Sequence, residues 1–245
     1  MKKVKIISWN VNGIKTRINA VNRLVNIERP DILCLQEIRS KVPHRYLDAV
    51  PGYGGIAAID EARPSHGGVA VLIRQEIFEN IDSDHMMSDV TGHILGVDIE
   101  GTRIFSVYSP AGLPEKYCLF RQLESSLGQH KSVLCGDLNT ITADIDRHRL
   151  FAGRENCLPI DKIMMSHFLE TLQLRDPYRE LYPASRDYTY WPYTDRCRER
   201  NIGMRIDYTL ISTGIPVLGA DILGTVRGSD HCPVSVEICL NEGGE

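Results

Sequence analysis

Six strand-like runs end or begin in a residue with reactive or ligating chemistry. "IISWN" ends in Asn10, with Asn12 and Gly13 behind it, and "DILCLQE" ends in Gln36-Glu37. "FSVYSP" closes around Tyr108, and "VLCGD" on Asp137, followed by Leu138-Asn139. "MRID" sets Asp207 in an apolar run, and "GSDH" sets Asp230 and His231 just ahead of the run Pro233 to Ile238. Each alone is ordinary. A glutamate after a strand is usually a solvated loop residue, and an adjacent Asp-His pair is equally the composition of a cap or a surface turn. Together they have the arrangement from which α/β enzymes build sites, polar groups at strand ends held by a rigid sheet.

The residue types define a chemistry. Carboxylates are hard ligands for Mg²⁺, which keeps several waters and takes one or two carboxylates; Glu37 and Asp230 suit that role. Mn²⁺ is a natural substitute. A carboxylate that polarises water, beside an amide that fixes it, makes a general base, and Asp137 with Asn139 has that form. An Asp-His dyad fixes one imidazole tautomer and favours the charged ring beside a phosphate. Tyr108 and the asparagines can donate to phosphoryl oxygens. No serine, cysteine or lysine stands in a nucleophile motif. The set points to phosphodiester hydrolysis by an activated water, without a covalent intermediate.

The elements that must hold these residues read as eight strands: "KVKIISW", "DILCLQ", "GVAVLIR", "HILGVDI", "RIFSVYS", "SVLCGD", "RIDYTLIS" and "CPVSVEI". Pro233 suits the first residue of the last strand. "TRINAVNRLVNIER" carries Ile18, Val21, Leu24 and Val25 on one helical face and stops before Pro30. Two further helices open on Pro114 and Pro159, the first ending at Gly128. The second carries Ile163, Met164, Phe168 and Leu172 as an expected core stripe. Strands that follow one another without helices from 68 to 108 exclude a purely parallel βαβ series. The pattern predicts an α/β domain of two packed sheets with helices outside. The 245 residues, with no linker or repeat, read as one domain, 1–245, with a frayed tail "NEGGE". No apolar run approaches a membrane span, and seven scattered cysteines without CxxC spacing suit a reducing cytoplasm. At a net charge of −4, a nucleic-acid partner would need local basic patches.

The motifs "ISWNVNGIKT", "PDILCLQE", "GGVAVLIR", "VYSP", "LCGDLNT", "YTYWPYTDRCRERNIGMRIDY" and "GSDHCPV" run in this order from end to end. In that ordered set the chain resembles the exonuclease III family of apurinic/apyrimidinic endonucleases. The resemblance implies a four-layer α/β sandwich, two packed mixed β-sheets flanked by helices, with the site at one end. It implies a monomeric, Mg²⁺-dependent DNA-repair nuclease acting on double-stranded DNA with abasic or damaged sites, away from any membrane. Asn10, Asn12, Glu37 and Asp230 match the metal side, with His231 beside them. Tyr108 matches the phosphate-binding tyrosine, Asp137 the residue that handles the proton, Asn139 its aligning neighbour, and Asp207 the partner of His231. Tyr190, Met204 and Ile206 map to an apolar pocket for the sugar of an abasic site. The chain departs from the family at Ala111, usually Asn or Gln, at Met204, commonly Trp, and at Thr91 and His93. The Tyr108–Asp137 connection is short.

Arg186, Arg196, Arg198, Arg200 and Arg205 interleave with Tyr188, Tyr190, Trp191 and Tyr193, a composition suited to DNA. This segment is expected to border the DNA groove; a solvated loop diluted by Asp187, Asp195 and Glu199 is the alternative. Three other readings remain: a relative acting on another lesion, RNA or a phosphate ester; a non-enzymatic DNA-binding protein; and a globular domain with unrelated polar strand ends. The first usually carries histidine at Tyr108, and the second would have lost Glu37, Asp137 or His231.

Overall fold

A computed structural model describes residues 2–81, 86–128 and 130–240, so the expected fraying of "NEGGE" falls outside the described residues. In chain order the elements are β1 (Lys2–Asn10), α1 (Ile14–Glu28), β2 (Ile32–Gln36), α2 (His44–Leu47), β3 (Tyr53–Ala58), β4 (Val69–Arg74), α3 (Gln75–Phe78) and β5 (Met86–Ser88). Then come β6 (Ile94–Ile99), β7 (Thr102–Tyr108), α4 (Leu113–Leu127), β8 (Ser132–Asp137), α5 (Pro159–Thr171), β9 (Leu174–Arg175) and α6 (Pro177–Leu181). The last three strands are β10 (Asp207–Ser212), β11 (Val217–Ile222) and β12 (Val234–Leu240). All eight strand-like runs form strands. The short β5 and β9, the glycine- and alanine-rich β3 ("YGGIAA") and the weakly patterned β11 ("VLGADI") lack the β-branched alternation that announces a strand.

The strands form two six-stranded mixed sheets, ordered β11-β12-β1-β2-β4-β3 and β5-β6-β7-β8-β10-β9. Each has one parallel pair at its centre, β1/β2 and β7/β8, crossed by α1 and α4 respectively; the other pairings are antiparallel. Side chains alternate across each strand, so one face of each sheet meets the other sheet. Ile6, Ile32, Cys34 and Val71 pack there against Val97, Ile104, Val133 and Cys135. On the outer faces, α1 seats Val21, Leu24 and Val25 over Ile7, Trp9, Leu33 and Leu35. On the other side, α4 and α5 seat Phe120, Leu123, Met165 and Phe168 over Phe105, Val107 and Leu134. The result is the expected four-layer sandwich.

Helix α5 faces the sheet with Asp161, Met165 and Phe168, whereas Ile163 is 64% exposed. At 3.6 residues per turn, Ile163 stands about 140° around the helix from Phe168, so the anticipated stripe holds at Phe168 and fails at Ile163.

The inner faces turn polar at one end. In β1 the inward series Val4, Ile6 continues as Ser8 and Asn10; in β2, Ile32 and Cys34 lead to Gln36. Ser106 and Tyr108 end β7, Asp137 ends β8, and the antiparallel β10 starts there with Asp207 opposite Asp137. Ser8 donates to Gln36 Oε1 (3.3 Å), Gln36 donates to Ser106 Oγ (3.0 Å), and Ser106 donates to Leu35 O (3.1 Å). This buried bridge ties the two sheets together beneath the polar end. Gly136 lets β7 and β8 approach there: a Cβ on it would lie 1.9 Å from Val107 O.

Candidate active site

Both sheets feed one polar cluster. Asn10 is fully buried, and its Nδ2 donates to Glu37 Oε1 and to Asp137 Oδ2, both at 2.9 Å, one acceptor from each sheet. Its Oδ1 accepts from Asn12 N (3.0 Å), and Asn12 Nδ2 donates to Asp230 Oδ1 (2.9 Å). The Ser229 hydroxyl donates to Asn10 O (2.8 Å) and also lies 3.1 Å from Asp230 Oδ1. Glu37 has a left-handed backbone (φ 50), as do Asn12 (φ 46) and Arg39 (φ 46). Such angles are uncommon for residues with a Cβ. They recur here because the chain must turn away sharply as β1 and β2 end. Arg39 pairs with the Glu37 carboxylate, a contact with no signal in the sequence.

His231 sits between two aspartates. Its Nδ1 is 2.8 Å from Asp207 Oδ2, and its Nε2 is 3.8 Å from Asp137 Oδ2. Trp9 Nε1 donates to His231 O (3.2 Å), and the Tyr190 ring leans on the imidazole at 4.8 Å between centroids. Burial opposes charge on this ring, but Asp207, Asp137 and Asp230 overcome it and push the pKa up to about 10. The Asp137 carboxyl is pushed up to about 8, first by burial and then by Asp207 and Glu37; His231 and the Asn139 N–H pull the other way. Burial, with Glu37 and Asp137, also raises the Tyr108 phenol, so it stays protonated at neutral pH and can donate a hydrogen bond. Asp207 Oδ1 is buried with no hydrogen-bond partner among the described residues.

The donor set suits a hard divalent cation. Carboxylate oxygens of Glu37 and Asp137 and a ring nitrogen of His231 lie within 4.8 Å of one another. The Glu37 and Asp137 carboxylates repel one another, and a cation beside them would relieve that repulsion. Both aspartates expected at the site stand by Glu37. Asp137 stands with Glu37, while Asp230 is held beside them by Asn12 and Ser229.

The other expected residues divide. Tyr108, Asp137, Asn139, Tyr190, Met204 and Ile206 line one cavity of about 760 Å³, together with Glu37, Asp230 and His231. Met204 packs with Ile141, Cys157 and Ile206, and not with Trp191, which belongs to a separate apolar cluster. Phe151 adds a further aromatic wall. The Asn139 side chain does not hang free to align a water. Its Nδ2 donates to Ser109 O (2.7 Å), its Oδ1 accepts from Asn156 (3.1 Å), and its backbone N–H donates to Asp137 Oδ1 (2.9 Å).

Much of the arginine-aromatic segment turns inward. Arg205 is 1% exposed and ion-paired to Asp146 and Asp176, so it is unavailable to DNA. Arg198 donates to the carbonyls of Ser229, Val226 and Gly224 and covers the buried Trp191 ring at 4.6 Å. Tyr188 is buried too. Arg186, Arg196 and Arg200 are exposed; Arg196 pairs with Glu199, and Arg200 donates to Asp195 O (3.3 Å). Two cations that the sequence did not single out stand at the cavity instead. Arg154 lines it and Arg149 lies on the adjoining turn, both exposed and, among the described residues, with no hydrogen bond or ion pair from the side chain.

A four-layer sandwich with carboxylates and a charged imidazole at one end defines a class of metal-assisted phosphoesterase. The profile of the endonuclease/exonuclease/phosphatase family matches residues 7–231, and the chain belongs to that family. It is 33% identical to an exodeoxyribonuclease of Bacillus subtilis (strain 168), over 96% of this chain and 99% of that protein. It is 30% identical to the DNA repair nuclease APEX1 of Danio rerio, over 97% of this chain and 83% of the other. Among solved structures, a 3′ phosphatase from Neisseria bound to a product DNA hairpin superposes with a TM-score of 0.83 at 25% identity. That match covers 96% of this chain and 99% of the other. An AP endonuclease from Archaeoglobus fulgidus gives 0.79 at 24%, covering 95% and 98%.

Proposed function

We propose that the protein is a divalent-metal-dependent DNA-repair nuclease that hydrolyses phosphodiesters 5′ to abasic sites, with 3′→5′ exonuclease and 3′-end-cleaning activity at the same centre. One observation carries this reading: Glu37, Asp137 and His231 bring ligand atoms within 4.8 Å at a cavity whose far wall is apolar. The names of its relatives support DNA as the substrate. Glu37, with Asp230 beside it, would hold the cation, Mg²⁺ or Mn²⁺, and the amides of Asn10 and Asn12 would organise these carboxylates. When bound, that ion supplies Lewis acidity and lowers the pKa of water.

The chain's own groups do the rest. Asp207 orients His231 and keeps its ring charged, so Nε2 donates to a non-bridging phosphoryl oxygen. The Tyr108 phenol stays protonated and donates to the same group. With a cation held beside Glu37, the raised pKa of Asp137 would be drawn down, and the ionised carboxylate would then take the proton of the attacking water. Tyr190, Met204, Ile206 and Phe151 receive the displaced sugar; a missing base makes that displacement cheap. The protein works as a monomer and one domain, because both sheets of the same chain complete the site. It acts in the cytoplasm, a reading that the seven free cysteines support. No helix among the described residues is long and apolar enough to cross a membrane.

The test incubates synthetic-abasic, nicked and uracil-containing duplexes with the protein, with Mg²⁺ and with excess chelator. Cleavage of the abasic duplex in Mg²⁺ alone is expected. Full activity in chelator, or none on any duplex, overturns the proposal.

A further inference from the structure

A lysine with no exposed surface stands behind the site. Lys116 lies in the first turn of α4, and all three of its ammonium hydrogens have acceptors. Nζ donates to Asn139 O (2.6 Å), Asp161 Oδ1 (2.9 Å) and Asn156 Oδ1 (3.1 Å). These belong to three segments: the turn after β8, the loop before α5, and α5 itself. Burying an ammonium is costly unless every donor is met, and an apolar side chain would pack there more cheaply. The fold retains the charge where its acceptors lead into the cavity.

Asn139 and Asn156 both line that cavity, and both hold left-handed backbones (φ 47 and φ 69). Asn156 Nδ2 donates to Asn139 Oδ1, and the Asn139 backbone N–H donates to Asp137 Oδ1. The other oxygen of Asp137 accepts from Asn10 across the sheets. Asp137 is thus gripped on both sides, and the grip on Oδ1 is anchored by Lys116. Asp161 balances the buried charge, and its second oxygen accepts from Leu158 N (3.0 Å) at the start of α5. A single nitrogen directing three hydrogens to three segments is something only lysine supplies; the planar fork of arginine cannot converge on the same points.

We propose that Lys116 is a positioning residue for hydrolysis, fixing the Asp137 carboxylate through Asn139 and Asn156. This rests on the nuclease reading above. A buried ion pair also stabilises or destabilises a fold, so the test separates the two roles. Lys116→Met, Asp161→Asn and the double variant are assayed on synthetic-abasic and nicked duplexes in Mg²⁺, with melting temperatures taken alongside. Lys116→Met alone leaves Asp161 buried without its partner and melts lower. The double variant has no unpaired charge and recovers most of the melting temperature. Its kcat stays about 10- to 100-fold below wild type with KM within about twofold, the cost of removing the support behind a reactive group. Asn156→Ala, which removes one acceptor of Lys116 and the donor to Asn139 Oδ1 but leaves the Lys116–Asp161 pair intact, shows a smaller kcat loss and a smaller fall in melting temperature than Lys116→Met. If kcat returns with melting temperature in the double variant, or if Asn156→Ala is fully active, the positioning role is overturned while the nuclease reading stands. A wild-type protein that cuts none of the duplexes overturns both.

Discussion

The strand ends and the segment from Arg186 to Arg205 are both rich in polar side chains, and the structure uses them in opposite ways. At the strand ends, Asn10 bonds to Glu37 and Asp137 and Asp207 bonds to His231 at 2.8 to 2.9 Å, with His231 Nε2 3.8 Å from Asp137, and little freedom is left. In the other segment, Arg198 and Arg205 turn into the protein and hold it together, while Arg186, Arg196 and Arg200 reach outward. The difference is one of leverage. A short side chain at the end of a paired strand points where the sheet pleat sends it. An arginine has a long apolar stem and five donors, and it goes wherever acceptors are unmet. Convergence is therefore legible from strand ends, and which way an arginine turns is poorly legible from a count of arginines.

The largest effect that tests this contrast is loss of a strand-end carboxylate. Glu37→Ala and Asp137→Asn should each lower kcat by roughly 10³-fold, whereas Arg198→Ala stays within about tenfold. Equal losses would erase the distinction. Raising Mg²⁺ should restore part of the activity of Glu37→Ala. Since the Asp137 oxygen groups with Glu37, partial rescue of Asp137→Asn as well would make it a ligand, and no rescue would make it the proton acceptor.

Asp207→Asn comes next, with a kcat loss of roughly 10²-fold and nearly intact DNA binding, because the imidazole remains but loses the carboxylate that charges it. His231 leaves a second trace in the metal-free protein. Its folded pKa, about 10, is above its ordinary 6.5, so the stability it contributes is complete below about pH 6.5 and lost as pH rises through about 10. Asp137, pushed up to about 8, adds a loss of the same sign over a lower range. In chelator, thermal melts of wild type should therefore fall between pH 7 and 10, and those of Asp207→Asn should fall less. Parallel curves would show that Asp207 does not set the charge on the ring.

Period-two alternation gave the core strands, and strand ends gave the identities of the cluster. Which aspartate stands with Glu37 was not legible, because Asp137 and Asp230 both follow from strand position, and the choice between them depends on how two sheets meet. The tie that Asn10 makes across the sheets has the same origin. Lys116 and Asn156 carry no local signal; a lysine in a helix's first turn is ordinarily a solvated residue, and only α5 and its preceding loop, folded over it, bury it. Asn139 fell to its neighbours in the same way, its amide used at both ends by Ser109 and Asn156. Met204, Tyr190 and Ile206 were named by resemblance alone, and they line one cavity with Glu37, Asp137 and His231. Phe151 in the same wall had no warning, since "RLFAG" has no strand or helix period.

The inward arginines should cost stability before they cost affinity. Arg205→Met removes the buried cation from Asp146 and Asp176, leaving Asp146 only Arg179, and should destabilise by about 3 kcal/mol. Arg198→Ala frees three carbonyls and uncovers Trp191, at about 2 kcal/mol. Denaturant melts measure both. A variant that melts like wild type would show its arginine to be a surface group after all.

The smallest effect concerns which cations meet DNA. Each phosphate contact releases counterions, so the slope of log Kd against log salt reports how many phosphates are engaged, whatever the strength of each interaction. Arg154 lines the cavity and Arg149 stands beside it, with no internal partner among the described residues to give up on binding. Arg198 would have to abandon three carbonyls to reach a phosphate, and Arg205 two carboxylates. Exchange of that kind gains nothing, because a bond within the protein breaks for each one made to DNA. Replacing Arg149 and Arg154 with glutamine should therefore flatten the slope by about 1 for each phosphate released, at little cost in melting temperature. Arg198→Ala should leave the slope unchanged when it is measured well below that variant's melting point. The reverse result, a slope that flattens only at Arg198, would mean that the segment opens outward on DNA. The contrast between strand ends that stay fixed and arginines that turn inward would then hold only for the free protein.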